Sequence, residues 1–148
     1  MQHDKRRFPP ELRTASVVPR WSIVWTLTRD TVSNHSFFVT FYAREIARLI
    51  HWQGDMGDLM FRALTHDLDE TITGDIVSPV KAEIIDDKRA EEYIALRMEE
   101  RLPQIVRDLR YIDEKSYRTA GLENDEETGA WLIIKAADKL DALIFLTM

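Results

Sequence analysis

Apolar and polar positions along this chain recur mostly with the period of an α-helix. After Ser33, large apolar side chains follow one another every three or four residues at Phe37, Phe38, Phe41, Ile46 and Ile50. This spacing predicts an amphipathic helix in which Ser33 serves as the N-cap and Gly54 ends the segment. Strand-like alternation is rare, and glycine and proline occur only five times each. The pattern therefore predicts an all-α fold.

The same periodicity predicts three further long helices. One runs from about Asp58 to Thr73 and stops at Gly74, a residue that is common just after a helix C-terminus. A charged helix occupies roughly 82–102, and an apolar helix begins near Glu126. A polar, proline-containing arm covers 1–13. We expect these elements to form one domain over residues 1–148.

Length and composition fit a globular domain and exclude several classes of protein. Of the 148 residues, 45% are hydrophobic and 31% are charged. No apolar run approaches the roughly 20 residues that span a bilayer, and the N-terminus lacks the apolar core of a secretory signal. The net charge of −6 argues against broad nucleic-acid binding. The absence of cysteine excludes disulfides and Cys-ligated zinc, and it fits a cytoplasmic location.

The end of the chain is unusual because the last helix is still apolar at Met148. Either a partner or another surface covers that end, or the natural fold continued further. The apolar helix favours a homo-oligomer, a dimer or a larger assembly.

Candidate chemistry is concentrated in the segment LTHDLDETITGDIVSPVK, where His66 and Asp67 are adjacent. Imidazole and carboxylate together suit Mn, Fe, Co, Ni or Zn, and Mg is possible. His35 precedes this pair in the chain, and Asp138 lies among apolar residues of the last helix. A buried acid is costly unless it is paired or bound to metal. Four such ligands from three helices would form a compact site inside a bundle.

Each of these residues also has an ordinary structural interpretation. The His-Asp pair is common by chance and is compatible with a solvated helix end. His35 alone suits a helix cap or a core histidine, and Asp138 alone suits an ion pair with Lys135 or Lys139. The combination, rather than any single residue, favours a metal site.

The order and spacing of four motifs resemble the HD-domain phosphohydrolases. The motifs are Arg20-Trp21, the segment from Arg29 to Ser36, the block HD-x-x-E-x-x-TGD-x-x-x-P-V-K from His66 to Lys81, and K-x-A-D ending at Asp138. Within that superfamily the chain is most similar to the bacterial HD-domain 5′-deoxynucleotidases and to phage HD-domain dNTP triphosphohydrolases. The resemblance implies an HD-domain helical bundle with a metal site between helices.

The resemblance also implies roles for individual residues. One divalent ion, Co, Mn, Zn or Mg, would be held by His35, His66, Asp67 and Asp138. Glu70 would be the general acid and base, and its position four residues after His66 independently places both on one helix face. An exposed helix acid is the alternative for Glu70.

Six residues would bind the substrate. Arg20 would hold the phosphate and Trp21 would form a wall against the sugar or base, although a surface arginine and a packing tryptophan are the alternatives. Asp75 would accept a hydrogen bond from the sugar 3′-hydroxyl, with a turn acid as its alternative. Lys81 would neutralise phosphate unless it is a solvated lysine. The base pocket would be lined by Ile23 and Pro79.

The implied function is hydrolysis of a small deoxynucleotide, with a 5′-deoxynucleotidase favoured. The first alternative is a dNTP triphosphohydrolase, including a phage-encoded enzyme specific for dATP, which would use the same metal site and Glu70. The second is a non-catalytic nucleotide-binding or dimerisation module. Two departures from the family pattern stand out, since Asn34 replaces the usual Glu before the first metal histidine and the chain ends ten residues after Asp138.

Overall fold

Helices account for nearly all the regular structure in the computed structural model, which describes residues 10–21, 28–76, 80, 88–101 and 126–147. Within these ranges, a 3₁₀ helix over Pro10–Ser16 is followed by five α-helices: α1, Val32–Leu49; α2, Met56–Thr65; α3, Glu70–Thr73; α4, Lys88–Arg101; and α5, Glu126–Thr147. Over these ranges the β-structure is limited to one antiparallel bridge between Pro19 and Thr31. The all-α prediction is confirmed. None of the described helices is long and apolar enough to cross a bilayer.

The chain divides into two compact units, each assembled from two separate stretches. The first takes its described residues from 1–32 and 67–108 and contains the 3₁₀ helix, α3 and α4. The second takes them from 33–66 and 109–148 and contains α2, α5 and nearly all of α1. The expectation of a single domain over the whole chain stays a prediction.

The core of the second unit lies between α1, α2 and α5. Its buried residues are Val39, Ala43, Ala47, Leu59, Ala63, Ala130, Ile133, Ile134 and Ala137. Five of these nine are alanines, whose small side chains allow helix backbones to approach closely while the larger Val, Leu and Ile fill the remaining space.

The buried face of α1 differs from the predicted one. Phe37 and Phe41 are 61% and 53% exposed, and Phe38 and Ile50 are exposed as well, whereas Ile46 is only partly buried against the core. The buried stripe consists instead of His35, Val39, Ala43 and Ala47, which follow one another at intervals of four residues. Apolar residues occupy both faces of α1, so hydrophobicity alone did not identify the face that the neighbouring helices cover.

The ends of α1 also differ from those predicted. The helix begins at Val32, so Ser33 lies inside it and is not its N-cap. It ends at Leu49, before Gly54, and His51 adopts a left-handed backbone with φ of 53°.

The predicted helix from Asp58 to Thr73 is interrupted. Helix α2 starts earlier, at Met56, where the Asp55 side chain caps it by accepting a hydrogen bond from the Asp58 N–H at 2.7 Å. It ends at Thr65, and a turn over His66–Asp69 separates it from α3. The Thr71 hydroxyl and N–H both donate to the Leu68 carbonyl, a local alternative to continued helix.

Other predicted boundaries agree with the structure. Gly74 ends α3 with φ of 72° and ψ of 174°, a region that is essentially restricted to glycine. Helix α4 lies within the predicted 82–102 segment, the rest of which falls outside the described residues. Helix α5 begins at Glu126 as predicted.

In the first unit, α3 packs against the 3₁₀ helix and α4. Two short stretches of this unit run antiparallel to each other, because the Arg20 N–H donates to the Asp30 carbonyl and the Val32 N–H donates to the Val18 carbonyl, both at 3.1 Å. This pairing holds Arg20 opposite Asp30.

Candidate metal centre

Three helices of the second unit bring His35, His66 and Asp138 together. His35 lies in α1, His66 is the C-cap of α2, and Asp138 lies in α5. One ligand atom from each side chain lies within 4.8 Å of the corresponding atoms of the other two. The cluster therefore lies between helices, as the sequence predicted.

His35 is fully buried and lies between two carboxylates of α5. Its Nδ1 is 2.6 Å from Asp141 Oδ2, and its Nε2 is 3.3 Å from Asp138 Oδ1. The ring therefore presents one nitrogen to each acid.

His66 is oriented by the backbone of its own helix end. Its Nδ1 lies 2.7 Å from the carbonyl oxygen of Ala63, three residues earlier. Because a carbonyl oxygen only accepts hydrogen bonds, Nδ1 donates and carries the proton. In the neutral ring, Nε2 then keeps the lone pair that binds a metal ion.

The Asp138 carboxyl has a pKa well below its usual range. Burial raises this pKa, but when no metal ion is bound and the imidazoles are protonated, the hydrogen bond from His35 and the positive charges of His35, His66 and Lys139 lower it by a larger amount. Lys139 is a loose partner, with Nζ 3.8 Å from Asp138 Oδ2 and a side chain that is 75% exposed. Asp138 is therefore ionised near neutral pH, the form in which a carboxylate binds metal.

The donor set fits a divalent transition metal ion. Two imidazole nitrogens and one carboxylate oxygen resemble the ligands of catalytic zinc sites, which keep a further position for water or substrate. Ligands that bind at about 2.0–2.2 Å lie up to roughly 4 Å from one another, which is compatible with the observed separation. The group can therefore hold a metal ion after small side-chain adjustments.

Asp67 and Glu70 both belong to the first unit. Asp67 directly follows His66 and is partly buried, and its carbonyl accepts a hydrogen bond from the Glu70 N–H at 3.1 Å. Glu70 is the first residue of α3 and is buried, with 6% exposure. The alternative interpretation of Glu70 as an exposed helix acid is therefore wrong. Asp67 as a ligand and Glu70 as acid and base stay predictions.

Arg20 and Trp21 lie side by side in the first unit, each with a defined contact. Arg20 Nη1 is 3.3 Å from Asp30 Oδ2, and both side chains are largely buried. The Arg20 guanidinium carbon lies 5.4 Å from the centre of the Trp21 ring, within the range of a cation–π interaction. The alternative of a solvated surface arginine is therefore wrong.

Asp75 holds the backbone of Trp21. Asp75 Oδ2 accepts a hydrogen bond from the Trp21 N–H at 2.8 Å, across 54 residues of sequence. Trp21 has φ of 61°, which is unusual for a residue with a bulky side chain. Asp75 thus stabilises a strained backbone and is more than a simple turn acid. Ile23, Pro79 and Lys81 lie outside the described residues.

Residues 8–146 match the family model for YfbR-like 5′-deoxynucleotidases. The chain belongs to this family. The match covers nearly the whole YfbR-like chain and confirms the resemblance to the HD-domain phosphohydrolases, including the predicted class of enzyme, a hydrolase.

Individual relatives agree with the YfbR-like assignment. The 5′-deoxynucleotidase YfbR of Shigella flexneri serotype 5b is 29% identical over 147 residues, which are 93% of this chain and 69% of the relative. A 5′-deoxynucleotidase of Pectobacterium atrosepticum is 28% identical over 150 residues, covering 95% of this chain and 71% of the relative.

Among solved structures, the cyanophage S-2L HD phosphohydrolase DatZ, bound to dA and one catalytic Zn²⁺ ion, is similar with a TM-score of 0.65. It is 23% identical, and the match covers 99% of this chain and 71% of DatZ. The likeness confirms the predicted HD-domain fold of this YfbR-like chain.

The structure also identifies a residue of this YfbR-like site that the sequence analysis missed. Asp141 contacts His35 and is buried, yet it lies outside the predicted ligand set. Its spacing of three residues from Asp138 places both acids on one side of α5. A second acid on the apolar side of that helix was the signal that could have revealed it.

We predict that Asp75→Ala destabilises the protein by about 1–3 kcal/mol, because it removes a charged acceptor from the Trp21 N–H. The matched variant Asp75→Asn keeps an oxygen acceptor and should lose less. Urea denaturation of the two variants and the wild type measures the difference. Equal stability of all three proteins would show that Asp75 does not hold Trp21 and leave only its predicted contact with substrate.

Proposed function

We propose that this chain is a metal-dependent 5′-deoxynucleotidase that hydrolyses deoxynucleoside monophosphates to deoxynucleosides and phosphate. The observation that carries the proposal is the grouping of His35, His66 and Asp138 in a chain of the YfbR-like family. Asp67 is the proposed fourth ligand, and its position next to His66 in the chain supports this role. Co, Mn, Zn and Mg are all candidates for the ion.

His35, His66, Asp67 and Asp138 would hold a divalent ion, which would supply positive charge to the phosphate oxygens and lower the pKa of a nearby water molecule. Glu70 is the proposed general base that takes a proton as the water oxygen attacks phosphorus. The bond between phosphorus and the 5′-oxygen breaks, and Glu70 returns its proton to that oxygen. The burial of Glu70 supports this role, because a carboxylate withdrawn from bulk water exchanges its proton with the reactants.

The pair formed by Arg20 and Trp21 is the proposed substrate-binding element. Asp30 and the Trp21 ring fix the Arg20 guanidinium, whose planar shape suits phosphate oxygens. Trp21 is the proposed wall against the sugar or base. Asp75 keeps its proposed contact with the 3′-hydroxyl in addition to its bond to Trp21, because a carboxylate accepts several hydrogen bonds.

Three substrate contacts rest on the sequence motif alone. Lys81 is the proposed second phosphate-neutralising group, and Ile23 and Pro79 are the proposed lining of the base pocket.

The triphosphohydrolase alternative has weaker support. It rests on the likeness in fold to the cyanophage protein, whereas the nucleotidase is supported by a family match over residues 8–146. A non-catalytic module is disfavoured because the chain keeps every predicted ligand and Glu70.

The deciding experiment measures the phosphate products from dAMP, dATP, AMP and ATP with added Co²⁺ or Mn²⁺. We expect orthophosphate from dAMP, loss of activity with EDTA, and recovery when the metal ion is returned. Tripolyphosphate from dATP would instead establish the triphosphohydrolase. No product from any of the four, with metal bound, would overturn the proposal in favour of a binding module.

We predict that Glu70→Gln lowers kcat by roughly 100-fold or more, because glutamine cannot transfer the proton. Its affinity for Zn²⁺ should stay at the wild-type level, as Glu70 is not a proposed ligand. The control is Glu45→Gln, which changes a half-exposed acid of α1 that pairs with Arg44. Near-normal turnover by Glu70→Gln would remove Glu70 from the mechanism.

A homo-oligomeric state and a cytoplasmic location complete the proposal. The first is supported by exposed Leu143 and Leu146 on α5 and exposed Phe37 and Phe41 on α1, and the second by the absence of cysteine. We expect light scattering to give at least twice the 17.3 kDa mass of one chain. The mass of a monomer at every concentration would contradict the first point.

A further inference from the structure

We propose that Asp141 is a positioning residue that fixes the orientation and tautomer of His35 and so strengthens metal binding. This inference rests on the metal site of the proposed function. It goes beyond that site because Asp141 is not among the predicted ligands, and its proposed action is through His35.

The geometry places Asp141 on the side of the His35 ring away from Asp138. Asp141 Oδ2 is 2.6 Å from Nδ1, whereas Asp138 Oδ1 is 3.3 Å from Nε2. The two acids are one turn apart on α5. Helix α5 therefore provides both a proposed metal ligand, Asp138, and the carboxylate that orients a second proposed ligand, His35.

The contact with Asp141 determines which nitrogen of His35 carries the proton. An ionised carboxylate only accepts hydrogen bonds, so Nδ1 must donate. In the neutral imidazole, the lone pair then lies on Nε2, the nitrogen that faces Asp138. A carboxylate behind a metal-binding histidine also makes the imidazole a stronger ligand.

Burial supports an active role for this contact. His35 is fully buried and Asp141 is 5% exposed, so solvent contributes little to holding either group. Burying a carboxylate is costly unless hydrogen bonds compensate for the lost water. The short contact with His35 provides that compensation, and it couples the two side chains tightly.

The second histidine is oriented by a different kind of group. His66 Nδ1 faces the neutral backbone carbonyl of Ala63, whereas His35 Nδ1 faces the charged side chain of Asp141. In both histidines, the contact at Nδ1 leaves Nε2 facing the cluster of His35, His66 and Asp138. Only the contact to His35 can be removed by replacing the accepting side chain, so it provides the test.

The test compares Zn²⁺ binding by the wild type, Asp141→Asn and Asp58→Asn, measured by calorimetry without substrate. Asparagine has the shape of aspartate but lacks its charge and can donate to Nδ1, which favours the wrong tautomer. We expect Asp141→Asn to bind Zn²⁺ about 10- to 100-fold more weakly. Asp58 pairs with Arg62 in the same unit, and its change to Asn should alter affinity less than about threefold, since such pairs contribute little.

Nitrogen NMR of the imidazoles shows which ring nitrogen of His35 carries the proton. A purely structural role of Asp141 would not change this tautomer. In the metal-free wild type with a neutral ring we expect His35 to carry its proton on Nδ1, and in metal-free Asp141→Asn we expect this preference to weaken. Unchanged affinity and tautomer in a folded Asp141→Asn would overturn the inference while leaving the metal site intact. If Asp141→Asn does not fold, the wild type alone provides the test. A proton on Nε2 of His35 in the wild type would then overturn the inference.

The outcomes for the inference and for the proposed function remain distinguishable. A wild type that binds no Zn²⁺, Co²⁺ or Mn²⁺ would overturn the metal-dependent function and the role of Asp141 together. A wild type that binds metal and hydrolyses dAMP, with Asp141→Asn equal to it in both affinity and tautomer, would overturn the role of Asp141 alone.

Discussion

The interaction on which the second unit depends is the burial of the His35 imidazole between two carboxylates of α5. Burying an isolated acid or imidazolium is costly, but contacts between each ring nitrogen and an acid offset part of that cost. The arrangement fixes the rotation of α1 relative to α5, because only one face of α1 carries His35. That same face continues through Val39, Ala43 and Ala47 into the hydrophobic core. The site and the core are thus two ends of one helix stripe, and disturbing the packing of one shifts the other.

The sequence was a good guide where chemistry demanded particular residues at fixed spacing. The block from His66 to Lys81, with His35 before it and Asp138 after it, led to the family and to three predicted ligands that the structure brings together. It was a poorer guide to the packing of α1. Large aromatic residues dominate a hydrophobicity pattern, yet in this helix the alanines are covered and the phenylalanines are exposed. Helices that pack closely require small side chains, and alanine contributes only weakly to a hydrophobicity pattern.

Contacts between distant parts of the chain explain the remaining differences. No feature of the local sequence predicts that the Trp21 N–H donates to an acid 54 residues away, or that Arg20 pairs with Asp30. Likewise, the turn at His66–Asp69 contains neither glycine nor proline, and the hydrogen bonds of the following threonines mark it only once the backbone is known. Asp141 escaped notice because an acid in a helix that also carries Lys135 and Lys139 is ordinarily solvated or paired. Its role became visible through the ring it contacts.

His66 is oriented by a backbone carbonyl and His35 by a side-chain carboxylate, and this difference affects how the site can evolve. The carbonyl that orients His66 belongs to the backbone, so no missense mutation deletes it as long as the helix end persists. The carboxylate that orients His35 is a side chain, and one base change converts an aspartate codon into an asparagine codon. If the two histidines bind metal as proposed, selection can adjust metal affinity through the side chain at position 141, but it has no comparable side chain to change behind His66. Lineages exposed to scarce or abundant metal would be expected to vary at position 141 before they vary at the ligands themselves.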